Sequence, residues 1–148
     1  MKIETLDWLK NFKDTEFIKV ITGVRRSGKS VILQQFQDFL LEQGVNEENI
    51  LFYNFERLEN AEFRTFDSLY SEVRKQTEGV KGVIYFIFDE IQEVDDWQRF
   101  VNGLRVSFDS DIYILLVQML IYSQESWQHT LLEDTSNLKF SLFLSKNF

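Results

Sequence analysis

The sequence predicts an α/β fold in which helices cover both faces of a parallel sheet, giving three layers. Three nearly continuous apolar runs, at residues 17–22, 50–55 and 83–88, are typical of strands that are buried on both faces. Each run is followed by a stretch with helical periodicity, at residues 29–42, 66–77 and 97–108. Because strands and helices alternate, crossover connections should make the strands parallel.

The elements follow one another in a simple order. Residues 5–12 predict a short amphipathic helix, and residues 17–22 predict the first strand. The helix predicted at residues 29–42 has an apolar stripe and should end near Gly44, a typical C-cap residue. Trp97 falls on the apolar stripe of the helix at residues 97–108, which favours a place in the core over a base-stacking role. A fourth strand should begin at residues 111–114.

Composition limits the classes of protein to which the chain can belong. A length of 148 residues suits one domain with a real core. The 16 basic and 24 acidic residues give a net charge of -8, which does not support binding to nucleic acid. No apolar run is long enough for a membrane span or a signal peptide, and the absence of cysteine agrees with a cytoplasmic protein.

A phosphate-binding loop follows the first predicted strand. The pattern G-x-x-x-x-G-K-[ST] is filled by Gly23, Gly28, Lys29 and Ser30. Glycines allow backbone amides to surround phosphate oxygens, lysine brings a positive charge to the β and γ phosphates, and the serine hydroxyl can coordinate Mg²⁺. The predicted nucleotide-binding residues are Gly23, Val24, Arg25, Arg26, Ser27, Gly28, Lys29, Ser30 and Val31.

Two adjacent carboxylates, Asp89 and Glu90, end the third apolar run. Ligands of parallel α/β sheets bind at the carboxyl ends of the strands, which is where these acids should lie. A lone Asp-Glu pair after a strand is more often a solvated loop or a helix cap. With a phosphate loop upstream, we favour a Walker B motif, in which Asp89 holds Mg²⁺ largely through water and Glu90 polarises the attacking water.

Taken together, these motifs resemble the N-terminal part of a prokaryotic AAA-type ATPase family. The family's features appear as GVRRSGKS at residues 23–30, FYNFE at residues 52–56 and FDEIQEVDDWQ at residues 88–98. The resemblance covers about two thirds of the chain, since family members run on to complete the ATPase core and then a separate C-terminal domain.

The resemblance implies a P-loop NTPase sheet with strand order 5-1-4-3-2, in which the strand from Asp111 lies between the first and third strands. ATP and Mg²⁺ are the implied ligands, with ADP as a product. Lys29 and Glu90 would be the catalytic residues, and Ser30 and Asp89 the metal ligands. An incomplete core would also expose apolar surface, so self-association or a partner chain is expected.

The chain departs from the family after Ile114, because the polar sensor that such ATPases place after the fourth strand is missing. Back-translating residues 115–148 and reading a shifted frame permits Thr-Gly-Ser-Asn-Ala at that point, and it restores a proline to a chain that has none. We therefore hypothesise a one-nucleotide frameshift near Ile114, which sequencing of the encoding DNA would test. Residues 1–114 would then be the ATPase part, and residues 115–148 a non-native tail that can extend the fourth strand and leaves strand 5 missing or non-native.

Three functions remain open at this point: an ATPase whose turnover is impaired in this chain, a nucleotide-binding or interaction module without turnover, and a P-loop kinase. Arg25, Arg26, Arg99 and Arg105 are candidates for the arginine that usually completes such sites, although solvated or packing roles are favoured for them. His129 is the only histidine, and it has no cysteine or second histidine with which to bind a metal.

Overall fold

A parallel five-stranded sheet forms the centre of the molecule. The computed structural model describes residues 18–23, 29–108, 112–119 and 140–144. Its strands are β1 (Ile18–Gly23), β2 (Ile50–Asn54), β3 (Ile84–Asp89), β4 (Ile112–Met119) and β5 (Phe140–Leu144). They lie side by side in the order β2-β3-β4-β1-β5, and every neighbouring pair is parallel.

This order is the predicted 5-1-4-3-2 read from the opposite edge, so the predicted topology is confirmed. β4 lies between β1 and β3, and it continues through Leu115, Leu116 and Val117 to Met119. The structure corrects one alternative, that the fifth strand is missing. Phe140–Leu144 occupies that place because the open edge of β1 can pair with a short parallel segment of the tail.

Within the described residues, three α-helices accompany the sheet: α1 (Lys29–Glu42), α2 (Phe66–Thr77) and α3 (Trp97–Ser107). Short 3₁₀ helices lie at Glu47–Asn49, Leu58–Phe63 and Ile91–Glu93. The α-helix bounds agree with the predicted ones to within a residue, whereas the helix predicted at residues 5–12 lies outside the described residues. Within the described part of the chain, no helix is long and apolar enough to cross a membrane.

The core has two halves, one on each face of the sheet. On one face, Phe86 and Phe88 pack with residues of α2 and α3, including Leu69 and Trp97. On the other face, Tyr85 and Ile87 pack with α1. All six residues of β3 are buried, as predicted for a central strand covered on both sides. The core position of Trp97 is likewise confirmed, since the side chain is only 7% exposed.

Two polar residues, Asn49 and Tyr53, make specific contacts near the central strands. The Asn49 side chain donates hydrogen bonds to the carbonyls of Lys81 (2.7 Å) and Val83 (3.0 Å), which fixes the chain just before β3 begins. Burial, together with the Glu72 carboxylate, raises the pKa of Tyr53 to about 12. Tyr53 therefore stays neutral at ordinary pH, which suits its packing against Phe55 and Phe88 in the aromatic core.

Helix α1 ends in a Schellman motif, as its glycine predicted. The Val45 amide donates to the Leu40 carbonyl (3.1 Å) and the Gly44 amide to the Leu41 carbonyl (3.1 Å), with Gly44 at φ 91°. A side chain at Gly44 would meet no atom within 4 Å, so only its backbone conformation requires glycine.

Two glycine substitutions should therefore change stability in opposite directions. Gly44→Ala should destabilise the fold by about 1 kcal/mol, because alanine rarely adopts the left-handed region. Gly103→Ala should stabilise it by about 0.5–1 kcal/mol, because Gly103 lies inside α3 with open space around its Cα. Chemical denaturation of both variants measures this. Equal effects of the same sign would contradict the assigned conformations.

Candidate functional site

The sheet register places the end of β3 level with Ile21, two residues before the end of β1. Asp89, the last residue of β3, lies opposite Val117 of β4, and Val117 lies opposite Ile21 of β1. Gly23 therefore stands two residues further along β1, at the carboxyl edge of the sheet. Since neighbouring strands are about 4.8 Å apart, roughly 10 Å separates β1 from β3, with β4 between them.

The Asp89 side chain belongs to the face of the sheet that α1 covers. Side chains alternate along a strand, so Asp89 shares a face with Tyr85 and Ile87, which pack with α1. Helix α1 begins at Lys29, directly after the predicted phosphate loop. Asp89 and the amino end of α1 therefore lie at the same edge and on the same face of the sheet, the arrangement expected of a phosphate site with a metal ion.

Both acids are buried. Asp89 is 1% exposed and Glu90 is 4% exposed, although carboxylates usually lie at the surface. The Asp89 carbonyl accepts a hydrogen bond from the Phe55 amide (3.1 Å), which continues the β2–β3 pairing past the end of β2. Burying two adjacent carboxylates is costly, so their placement is a sign of function.

Glu90 has an unusual backbone conformation for a residue other than glycine. Its φ of 58° and ψ of 46° lie in the left-handed region, and Asp96, which precedes α3, shares this conformation with φ 60°. Such residues cost roughly 1–3 kcal/mol and cluster at functional sites. The segment from Glu90 to Asp96 is therefore a turn with a left-handed residue at each end.

Hydrogen bonds hold this turn in place. The Glu93 amide donates to the Glu90 carbonyl (3.1 Å), and the Gln92 side-chain amide donates to Glu90 Oε2 (2.6 Å). Ile91 and Val94 bury their side chains in the core. The turn is thus anchored by apolar packing and carries the Glu90 carboxylate at a defined position.

Arg64 connects the turn to the end of β2. Its Nε donates to the Phe55 carbonyl (2.7 Å), and its own carbonyl accepts from the Asp95 amide (2.9 Å). Because the Phe55 amide bonds to the Asp89 carbonyl, Arg64 links both ends of the segment that contains the acids. The segment is therefore supported from the neighbouring loop as well as from the core.

Only part of the predicted phosphate loop falls within the described residues. Gly23 is the last residue of β1, and Lys29 and Ser30 are the first two residues of α1. Val31, also in α1, is 47% exposed. Val24, Arg25, Arg26, Ser27 and Gly28 lie outside the described residues. The described strand and helix stand in the order that the loop requires, and the roles of all these residues stay predictions.

The available donors suit a magnesium ion that is shared with a nucleotide. Mg²⁺ prefers oxygen ligands and usually takes only one or two from a protein, with water and phosphate supplying the others. Within the described residues no group of three metal-binding side chains occurs, so a metal held by the protein alone is not indicated there. Asp89 with the predicted Ser30 hydroxyl matches the smaller ligand set. His129 lies outside the described residues.

Two of the candidate arginines, Arg99 and Arg105, lie on α3. The Arg99 guanidinium lies 4.4 Å from the centre of the Phe66 ring and 3.8 Å from Asp96 Oδ2, at the exposed surface. Arg105 is half-buried in the last turn of α3. Arg99 thus contacts an aromatic ring and a carboxylate of the described chain, and the roles of both arginines stay predictions.

Comparison with known proteins decides the family. A family model described as "AAA domain" matches residues 15–137 of the chain. The chain belongs to this AAA family. The match extends past Ile114, where the frameshift hypothesis places the break. The hypothesis stays a prediction.

Two relatives are uncharacterized proteins. One, from Haemophilus influenzae, is 50% identical over 109 residues, which are 74% of this chain and 27% of the relative. The other, MJ1544 from Methanocaldococcus jannaschii, is 38% identical over 92 residues, which are 61% of this chain and 19% of the relative. The chain thus spans about a quarter or less of the length of these relatives.

Solved structures support the fold. An Aeropyrum pernix ORC1 protein, solved in complex with DNA, matches with a TM-score of 0.62 at 12% identity, covering 97% of this chain and 43% of that one. A DNA polymerase III gamma subunit-related protein from Thermotoga maritima matches with a TM-score of 0.61 at 12% identity, covering 99% of this chain and 46% of that one. At such identities the likeness concerns the fold alone.

Sequence reasoning missed two residues of the site, Gln92 and Arg64. Gln92 was visible within FDEIQEVDDWQ, but nothing in the sequence indicated that its amide bonds to Glu90. Arg64 bonds to Phe55 through its side chain and to Asp95 through its backbone. Both partners are far from it in sequence, so no local sequence pattern indicates these contacts.

The backbone of Glu90 gives a test of the site's geometry. Glu90→Gly should be more stable than Glu90→Ala by about 1 kcal/mol, because both remove the carboxylate but only glycine adopts the left-handed conformation without strain. At Glu93, which is not left-handed, the order should reverse. Denaturation of the four variants measures the differences. Alanine more stable than glycine at Glu90 would contradict the assigned conformation.

Proposed function

We propose that the chain binds ATP with Mg²⁺ and carries the site that hydrolyses it to ADP and phosphate, with slow turnover. The observation that supports this most is the buried Asp89 and Glu90 pair at the carboxyl end of β3, on the edge where α1 begins. Family membership supports the same reading. A cytoplasmic location is part of this proposal.

Each residue of the site would have a distinct role. Backbone amides of the loop from Gly23 and the Lys29 ammonium bind the phosphates and stabilise the charge that develops on them. Ser30 and Asp89 would hold Mg²⁺, and the ion would supply positive charge that offsets the charge of the phosphates. Glu90 orients a water molecule and takes its proton as the water oxygen bonds to the γ phosphorus and the bond to the ADP oxygen breaks.

Slow turnover is proposed because of β4, which the family resemblance implies is followed by a polar sensor. In this chain Val117 of β4 stands beside Asp89 in the register. An apolar side chain there cannot hydrogen-bond to a phosphate or to the attacking water. The same observation favours the second candidate, a module that binds nucleotide without turnover.

Partners other than nucleotide are also proposals. The Aeropyrum pernix ORC1 protein, which shares the fold, was solved in complex with DNA, but the net charge of -8 argues against binding of this chain to nucleic acid. Self-association through exposed apolar surface is the interaction that we favour.

Substitution of Glu90 separates binding from hydrolysis. In Glu90→Gln, phosphate release from ATP should fall at least a hundredfold, because an amide cannot accept the proton of the water. The dissociation constant for a fluorescent ATP analogue should change less than twofold. Glu93→Gln is the matched control, since Glu93 is exposed and three residues further along, and it should keep the original activity.

Three results would contradict the proposal in different ways. ATP binding without any phosphate release by the unsubstituted chain would favour the module without turnover. Phosphate that appears on an added acceptor instead of in solution would favour a kinase. Turnover that survives in Glu90→Gln would remove Glu90 from the role assigned to it.

A further inference from the structure

We propose that Gln92 is a positioning residue for the Glu90 carboxylate, an inference that rests on the proposed function. The Gln92 Nε2 atom lies 2.6 Å from Glu90 Oε2, a short distance for a hydrogen bond from a neutral donor to a carboxylate. Of the two ends of the Gln92 amide, only the nitrogen can donate, so the contact defines the orientation of the side chain. One carboxylate oxygen of Glu90 is thereby engaged.

The carbonyl oxygen of the Gln92 amide shows that the bond to Glu90 has a cost in free energy. Gln92 Oε1 is buried and accepts no hydrogen bond within the described part of the chain. A buried acceptor without a partner costs about 1–3 kcal/mol. A side chain that only needed solvation would turn its oxygen outward, so the bond to Glu90 determines where Gln92 lies.

The backbone around Gln92 is rigid enough to make the contact useful. Gln92 lies in the 3₁₀ helix Ile91–Glu93, between the buried side chains of Ile91 and Val94. The Arg64 carbonyl accepts a hydrogen bond from the Asp95 amide, which restrains the end of the same turn. The amide of Gln92 is therefore presented from a fixed support and not from a mobile loop.

A glutamate side chain has three rotatable bonds before its carboxylate, so the left-handed backbone of Glu90 alone does not fix its oxygens. The hydrogen bond from Gln92 to Oε2 restricts these rotations and so helps to set the direction of the carboxylate. Catalysis depends on such placement, since a displacement of about 1 Å can lower a rate a hundredfold. Gln92 thus acts on turnover through Glu90, without contact with the substrate.

The test compares two variants of Gln92 with a matched control. Gln92→Met keeps the length of the side chain but cannot donate, and Gln92→Glu places a second carboxylate beside Glu90. The control is Gln76→Met, which removes a bond of the same kind, from Gln76 Nε2 to Glu72 Oε1 (2.8 Å), on the exposed face of α2. Single-turnover hydrolysis of radiolabelled ATP, ATP-analogue affinity and thermal stability are measured for each variant of the 148-residue chain.

We expect the hydrolysis rate to fall about tenfold in Gln92→Met and further in Gln92→Glu, with affinity in Gln92→Met within twofold of the original. Gln76→Met should keep the original rate. An unchanged rate in Gln92→Met, in a chain that hydrolyses ATP, overturns the role of Gln92 alone. Loss of affinity, folding or thermal stability together with the rate makes Gln92 structural and also overturns it. A complete absence of hydrolysis in the unsubstituted chain overturns the proposed function, and this inference with it.

Discussion

The central strand β3 is buried along its whole length, and its hydrogen bonds to both neighbouring strands set the register of the sheet. β3 pairs with β2 on one side and β4 on the other, and none of its six residues is exposed. The strand therefore has no freedom to slide, because a shift of one residue would move every side chain to the opposite face. This register places Asp89, its last residue, at the carboxyl edge of the sheet and on the face that α1 covers.

The turn after β3 contains strained backbone, and packing and hydrogen bonds around it offset that strain. Glu90 and Asp96 are the two residues other than glycine with positive φ among those described. Apolar packing of Ile91 and Val94 and the contacts of Arg64 stabilise a conformation that the local sequence does not favour. The surrounding core thus compensates for strain next to a group proposed to act on water.

Much of the fold could be predicted because its strands and helices have strong patterns. The runs at β1, β2 and β3 are almost wholly apolar, and the stripes of α1, α2 and α3 repeat at helical spacing. β5 was harder to predict, because its five residues form a strand through pairing with the open edge of β1 more than through a sequence pattern of their own. The order of the sheet itself came from the family resemblance.

The site was predictable in its residue types but not in its geometry. Asp89 and Glu90 stood out because two acids ended a buried strand downstream of a phosphate loop. The left-handed conformation of Glu90 could not be foreseen, since no glycine or asparagine marks it. The contact with Gln92 depends on that conformation and was hidden for the same reason. The nucleotide roles of the loop from Gly23 to Val31 remain predictions.

A crystal structure of the chain with Mg²⁺ and a non-hydrolysable ATP analogue would show directly where the nucleotide binds. We expect the triphosphate at the amino end of α1, with Lys29 at its β and γ phosphates. Mg²⁺ should lie between Ser30 and Asp89, and a water molecule should lie between Glu90 and the γ phosphate. A nucleotide bound elsewhere, or a γ phosphate out of reach of Asp89 and Glu90, would contradict this expectation.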